Sequence, residues 1–178
     1  PAKAATFIPT TNPQNLFCPA PPLTHWVPAF TDYFNNFTDH PWRVYNSAPS
    51  GTTRGNMAYN PANVFVRNGR MVIKLSKTPY LGRTYSGGGF DTYKFFYTTY
   101  GRVEAIMRSS GGSGQNVWAQ FGPNKWVAEI DYMESPGAKQ VYAVTVHYFT
   151  PEHHFISKSF PLLSVHTHFH SFAVEWTP

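Results

Sequence analysis

Period-two alternation of apolar and polar positions dominates this chain, and a strand presents alternate residues to opposite faces. In residues 141–149, Tyr142, Val144, Val146 and Tyr148 fall on one face and Ala143, Thr145 and His147 on the other. In residues 100–108, Val103, Ala105 and Met107 alternate with Glu104, Ile106 and Arg108. Residues 63–75 hold two alternating runs about Asn68-Gly69, the dipeptide best suited to a two-residue hairpin turn. Short strands are predicted over 117–121 and 171–176, and residues 30–46 read as the first strands with a loop between them. Residues 80–90, with Gly87-Gly88-Gly89, read as a flexible loop; they lack the lysine and following helix of a nucleotide site. No stretch carries a convincing helical period, and no repeat is visible. The pattern predicts an all-β sandwich or barrel.

Composition narrows this picture. The chain has 178 residues, enough for one domain with a sizeable core. Only 13% of residues are charged while 17% are aromatic, which suits short strands between Gly and Pro turns. Seven of the 16 prolines fall in residues 1–28, predicted to be an N-terminal arm lying on a domain that spans 29–178. The net charge of +5 is scattered, with no basic stripe, so no nucleic-acid partner is expected. No segment approaches the roughly 20 apolar residues of a membrane span, so no membrane partner is expected either. Cys18 is the single cysteine: either an unpaired thiol or a bridge to another chain. The opening Pro1 fits a processed N-terminus or a trimmed chain, and Asn36-Phe37-Thr38 is a glycosylation sequon that counts only on a eukaryotic secretory route.

The chemistry concentrates in residues 126–134. Three of the nine acids, Glu129, Asp131 and Glu134, fall within six positions of an otherwise apolar, aromatic run. A regular strand would put Glu129 and Asp131 on one face and Glu134 on the other. One β-bulge between Asp131 and Glu134 lines up all three. Two Glu flanking an Asp suit glycosidic-bond hydrolysis, in which one carboxyl protonates the leaving oxygen and a second attacks or activates water. Glu side chains leaning inward from a concave strand can reach the roughly 5–5.5 Å separation of a retaining pair. Asp131 between them can keep one Glu ionised while repulsion raises the pKa of the other. A solvated edge-strand face would show the same spacing. The neighbouring Trp126, Ile130, Tyr132 and Met133 argue against that, as does the repulsion among acids with no interleaved base.

Glu129-Ile-Asp-Tyr-Met-Glu134 resembles the bulged motif of glycoside hydrolase family sixteen, which includes laminarinases, lichenases, agarases, carrageenases and transglycosylases. Asp32-Tyr-Phe-Asn35 is similar to that family's opening strand, Asn68-Gly-Arg-Met-Val-Ile73 to its hairpin, and Tyr100-Gly-Arg-Val-Glu-Ala105 to a further strand. Trp126 precedes the acids as in the family, and His147-Tyr148 is similar to its next strand. Phe169 to Pro178 is similar to its "F-H-x-x-x-x-E-W-T-P" segment.

The resemblance implies a β-jelly-roll (concanavalin A-like) sandwich of two antiparallel sheets, whose concave face forms an open sugar-binding cleft. It implies a retaining mechanism with Glu129 as nucleophile, Glu134 as acid/base and Asp131 assisting. Trp118 and Trp126 become either sugar-stacking platforms or core residues. His147 either bonds near the acid/base or packs. The expected substrate is a β-linked polysaccharide, first a β-1,3(1,4)-glucan. A galactan hydrolase, a transglycosylase and a non-catalytic glucan-binding protein are the alternatives. No cofactor is required, with room for a structural calcium ion, and the location implied is secreted or cell wall. His166, His168 and His170 alternate, with His153 and His154 nearby, and would share a face if on a strand; no metal site is assigned to them. Two departures stand out. Phe121-Gly122 replaces a second Trp common after "W-x-A". The family's domain also continues past "E-W-T-P", so the chain is expected to be a fragment, to be completed by a second polypeptide, or to be covered in part by its Pro-rich arm.

Overall fold

The structure, a computed structural model, describes residues 27–49, 56–93, 95–111, 129–135 and 141–176, together with the backbone of 117–121. Cys18, Trp126 and nearly all of the predicted arm over 1–28 lie outside the described residues. The contacts divide the chain into two compact units, one of them Phe30–Tyr97 and the other containing Thr98–Pro178.

The described residues of Phe30–Tyr97 carry six short strands: β1 (Arg43–Val44), β2 (Met57–Tyr59), β3 (Val64–Val66), β4 (Met71–Ile73), β5 (Tyr85–Gly87) and β6 (Phe90–Asp91). The β3–β4 hairpin turns at Asn68-Gly69 as predicted, with both residues left-handed (φ 54° and 64°). Residues 30–42 are not the strand expected of them. Asp32 instead accepts from the backbone N–H of Phe34 at 2.6 Å and from Trp42 Nε1 at 2.8 Å, ties that bend the segment into turns. The ring of Phe30 meets His40, Trp42, Phe95 and Phe96 at 4.7–5.6 Å, so aromatic packing holds the segment in place of a ladder. β2 and β5 pair in parallel, a departure from the all-antiparallel expectation.

The glycine stretch is not a flexible loop. β5 and β6 run through it, and a Cβ on Gly88 would meet the carbonyl oxygen of Asn63 and Cγ2 of Val64, each at 2.7 Å. Glycine is there because two backbones approach closely.

The second unit holds β7 (Gly101–Met107), β8 (Val117–Phe121), β9 (Glu129–Ser135), β10 (Val141–Phe149), β11 (His153–Pro161) and β12 (His170–Trp176). Four of them form an antiparallel sheet in the order β11-β10-β9-β8, while β12 pairs with β7. Between the two sheets lies a core of Tyr132, Met133, Val165 and Phe172, with Val103, Met107, Tyr142 and Val174 packed against it. The alternation read along residues 100–108 therefore holds, with Val103 and Met107 turned inward, and Phe172 and Val174 of β12 meet them there. On the other face of that pair, Arg102 bonds Glu104 at 2.9 Å and lies 3.8 Å from Glu175, so one cation sits between two acids. Among the described residues the one helical segment is a 3-10 turn at Pro61–Asn63, and no helix is long and apolar enough to cross a membrane.

β11 was not foreseen. Nearly every residue along it is exposed, since it forms the edge of its sheet, and an edge strand needs little apolar alternation to pair.

Candidate active site

β9 carries its bulge at Tyr132–Met133. On one side Gln120 and Ala119 of β8 pair with Asp131 and Met133; on the other Thr145 and Ala143 of β10 pair with Asp131 and Glu134. The extra residue lets two consecutive side chains, Tyr132 and Met133, both enter the core. The core drives this: Met133 is wholly buried and Tyr132 nearly so. Parity beyond the bulge is thereby reset.

The consequence is visible on the opposite face. Thr145 Oγ1 donates to Glu134 Oε2 at 2.7 Å, and His147 Nε2 lies 3.0 Å from Asp131 Oδ2. Thr145 and His147 are two residues apart on β10 and so share a face. Their partners Glu134 and Asp131 must reach that same face. Glu129 joins them, since its carboxylate, that of Asp131 and an imidazole nitrogen of His147 lie within 4.8 Å of one another. The three acids predicted to converge are brought together here.

Asp131 is the most confined of them, 5% exposed, and its Oδ1 has no partner among the described residues. Burial pushes its carboxyl up, and the charges of Glu129 and Glu134 push the same way; His147 opposes them, and the result is a pKa of about 6. The central Asp131, between the two Glu, thus carries a raised carboxyl.

His147 links Asp131 to β11. Its Nδ1 lies 2.9 Å from Nε2 of His153, whose ring stacks on it at 5.1 Å. Thr145 Oγ1 is also 3.0 Å from Ser157 Oγ. A threonine has one hydroxyl proton, and it goes to Glu134, so Ser157 donates to Thr145. His153 and Ser157 come from the unforeseen β11. Once that strand is known, the register Thr145↔Ser157 and His147↔Phe155 puts them beside the acids.

Trp118 lies opposite Glu134 in the ladder, and Trp126 falls outside the described residues. The three alternating histidines are not brought together. Residues 163–168 form turns and a bend rather than a strand. His166 bonds Ser109, His168 bonds Thr167 and His170 bonds Ser164, three separate partners. His153, grouped with them by sequence proximity, belongs to His147.

Residues 52–178 match the family model for glycosyl hydrolases family 16. The chain belongs to this family. A beta-glucanase of Rhodothermus marinus is 32% identical over 129 residues, a match covering 65% of this chain and 45% of that protein. The chain therefore spans just under half the length of the curated relative it matches. Among solved structures, the laminarinase from Rhodothermus marinus superposes with a TM-score of 0.70 at 26% identity, over 86% of this chain and 69% of that one. A family 16 enzyme of a Bacteroides ovatus mixed-linkage glucan locus, in complex with a G4G4G3G product, superposes at 0.69 with 19% identity. It covers 83% of this chain and 70% of its own, and at that identity shows the fold alone. The fold class is all-β, of the jelly-roll sandwich type.

Proposed function

We propose that this chain carries the catalytic strand of a retaining, endo-acting glycoside hydrolase acting on a β-glucan of the β-1,3(1,4) type. One observation carries the reading: the bulge at Tyr132–Met133 turns Glu129, Asp131 and Glu134 onto one face, beside Thr145 and His147. Family membership and the similarity to a beta-glucanase and a laminarinase support the substrate class.

In this mechanism Glu134 protonates the leaving glycosidic oxygen while the Glu129 carboxylate attacks the anomeric carbon. A covalent glycosyl-enzyme forms, and water deprotonated by Glu134 then releases the sugar and frees Glu129. The Thr145 hydroxyl fixes the rotamer of Glu134 through the acid and base half-reactions. Asp131 sits beside Glu129 and, held by His147, sets the local charge. Trp118 and Trp126 are the sugar-stacking candidates, and the location that suits such a substrate is outside the cell or in a cell wall. No cofactor enters the mechanism, and a structural calcium ion remains compatible with it.

The test incubates the protein with laminarin, mixed-linkage glucan, agarose and carrageenan, following reducing ends and product sizes, with proton NMR of the first anomer released. Short oligosaccharides of retained configuration from the glucans are expected, and none from Glu129→Gln. Activity unchanged in that variant would sink the mechanism. Products from agarose or carrageenan alone would replace the glucan with a galactan, and glucan binding without cleavage would make the chain a recognition protein.

A further inference from the structure

The cluster around Asp131 has a donor set that catalysis by carboxylates alone does not call for. Glu129 and Asp131 offer oxygen, His147 offers imidazole nitrogen, and these atoms lie within 4.8 Å of one another. A tetrahedral zinc ion, with bonds of about 2.0–2.2 Å, holds its ligand atoms roughly 3.3–3.5 Å apart. His147 Nε2 and Asp131 Oδ2 already stand 3.0 Å apart, and Glu129 is a partly exposed, three-torsion side chain. Closing the triangle draws the Glu129 carboxylate in from no more than 4.8 Å. Asp131 is 5% exposed, and its Oδ1 is unsatisfied among the described residues, so a second oxygen is also at hand for a cation.

We propose that Glu129, Asp131 and His147 form a binding site for a first-row transition dication of the zinc class. Two carboxylates neutralise the ion, and the imidazole favours a borderline metal over magnesium or calcium, which prefer oxygen. Three protein ligands leave the fourth position to water. The stacked His153 supplies the orientation that ligating histidines usually require. Without metal, His147 Nε2–H donates to Asp131 and His153 Nε2–H donates to His147 Nδ1. With metal on Nε2, the proton of His147 sits on Nδ1 and donates back to His153 Nε2, so both rings change tautomer together. Occupancy withdraws Glu129 from catalysis, so the ion is an inhibitor of the proposed hydrolase and not its cofactor. Binding itself does not depend on the hydrolase reading.

Isothermal titration calorimetry of the full chain with zinc chloride tests the site, with circular dichroism to verify that each variant is folded. One zinc per chain is expected. Glu129→Gln and His147→Ala should each weaken binding at least about tenfold, and His153→Ala about tenfold, the low end of the usual effect of a group that orients a ligand. His168→Ala, whose ring bonds Thr167 on an exposed turn, should leave it unchanged. Absence of binding at millimolar zinc overturns the proposal. So does equal affinity in Glu129→Gln, which places the ion on other groups such as Cys18 or the exposed histidines, and so does magnesium binding as tight as zinc. A chain inactive on every glucan that still binds zinc in this pattern would fail the hydrolase reading alone.

Discussion

Thr145 Oγ1 donates to Glu134 Oε2 at 2.7 Å, although Thr145 stands opposite Asp131, not Glu134, in the β9–β10 register. The bond is diagonal, across the bulge. It marks the point where the reset of strand parity becomes a usable position for a carboxyl group. Thr145 is 5% exposed and is itself held by Ser157, so the donor is fixed in place.

Removing that donor should damage turnover more than folding. A hydrogen bond to a charged group is worth about 1.5–3 kcal/mol, so Thr145→Val should lower kcat on laminarin by about 10- to 100-fold. Thr145→Ser keeps the hydroxyl and should retain most of the activity. Steady-state kinetics of the two variants side by side check this; equal losses would mean that the methyl group, not the hydroxyl, matters.

Asp131 gives a stability prediction with a definite sign. Its carboxyl is raised from the ordinary 3.8 to about 6, by burial first and by Glu129 and Glu134 next. Between those values the folded chain binds more protons than the unfolded one. The contribution of this group is therefore complete below about pH 4 and is lost as pH rises toward and beyond 6. Asp131→Asn removes the charge and keeps an acceptor for His147. It should raise the melting temperature by a few degrees at pH 7.5 and by almost nothing at pH 4, while lowering activity. Melting curves of both proteins across that range check it; a gain that grows toward acid would contradict the sign.

Much of this site was legible in the sequence because the information is one-dimensional. The i, i+2, i+5 spacing of Glu129, Asp131 and Glu134 cannot face one way without a bulge, and the bulge is at Tyr132–Met133. Asn68-Gly69 likewise specifies its own turn, as both residues tolerate positive φ. What the sequence hid depends on partners far along the chain. β11 is an exposed edge without a strong pattern, so Ser157 and His153 could not be assigned to the site. His166, His168 and His170 alternate as a strand would, but two of the three sit before β12 begins, where turn hydrogen bonds decide the geometry. Residues 30–42 have strand-like composition yet are bent by the carboxylate of Asp32.

Phe155 extends the face that carries the acids. It pairs with His147 in the β10–β11 ladder, its ring lies 5.9 Å from that imidazole, and it is 62% exposed. An exposed ring beside the carboxylates suits the apolar face of a pyranose. Burying a phenylalanine is worth about 1.5–3 kcal/mol, so Phe155→Ala should raise KM by about 10- to 100-fold with kcat little changed. Phe155→Tyr should behave like the native chain. A fall in kcat at constant KM would instead assign the ring to the reacting centre.

The glycines of residues 87–89 separate two reasons for the same residue type. At Gly88 the backbone conformation is ordinary, but a Cβ would sit 2.7 Å from the Asn63 carbonyl oxygen and from Val64 Cγ2, with Ile73 Cγ2 at 3.0 Å. One of these contacts is backbone and cannot move without disturbing β3. At Gly69 the reverse holds: a Cβ meets nothing within 4 Å, but φ is +64°. Gly88→Ala should therefore cost about 1–3 kcal/mol through overpacking. Gly69→Ala should cost about 1–2 kcal/mol through left-handed strain, and Gly69→Asn less, since asparagine tolerates that conformation. Denaturant titrations of the three variants check the ranking. If Gly88→Ala is neutral while Gly69→Ala is not, the strands through 85–91 can separate from β3. The close approach that replaces the expected flexible loop would then not be what holds them.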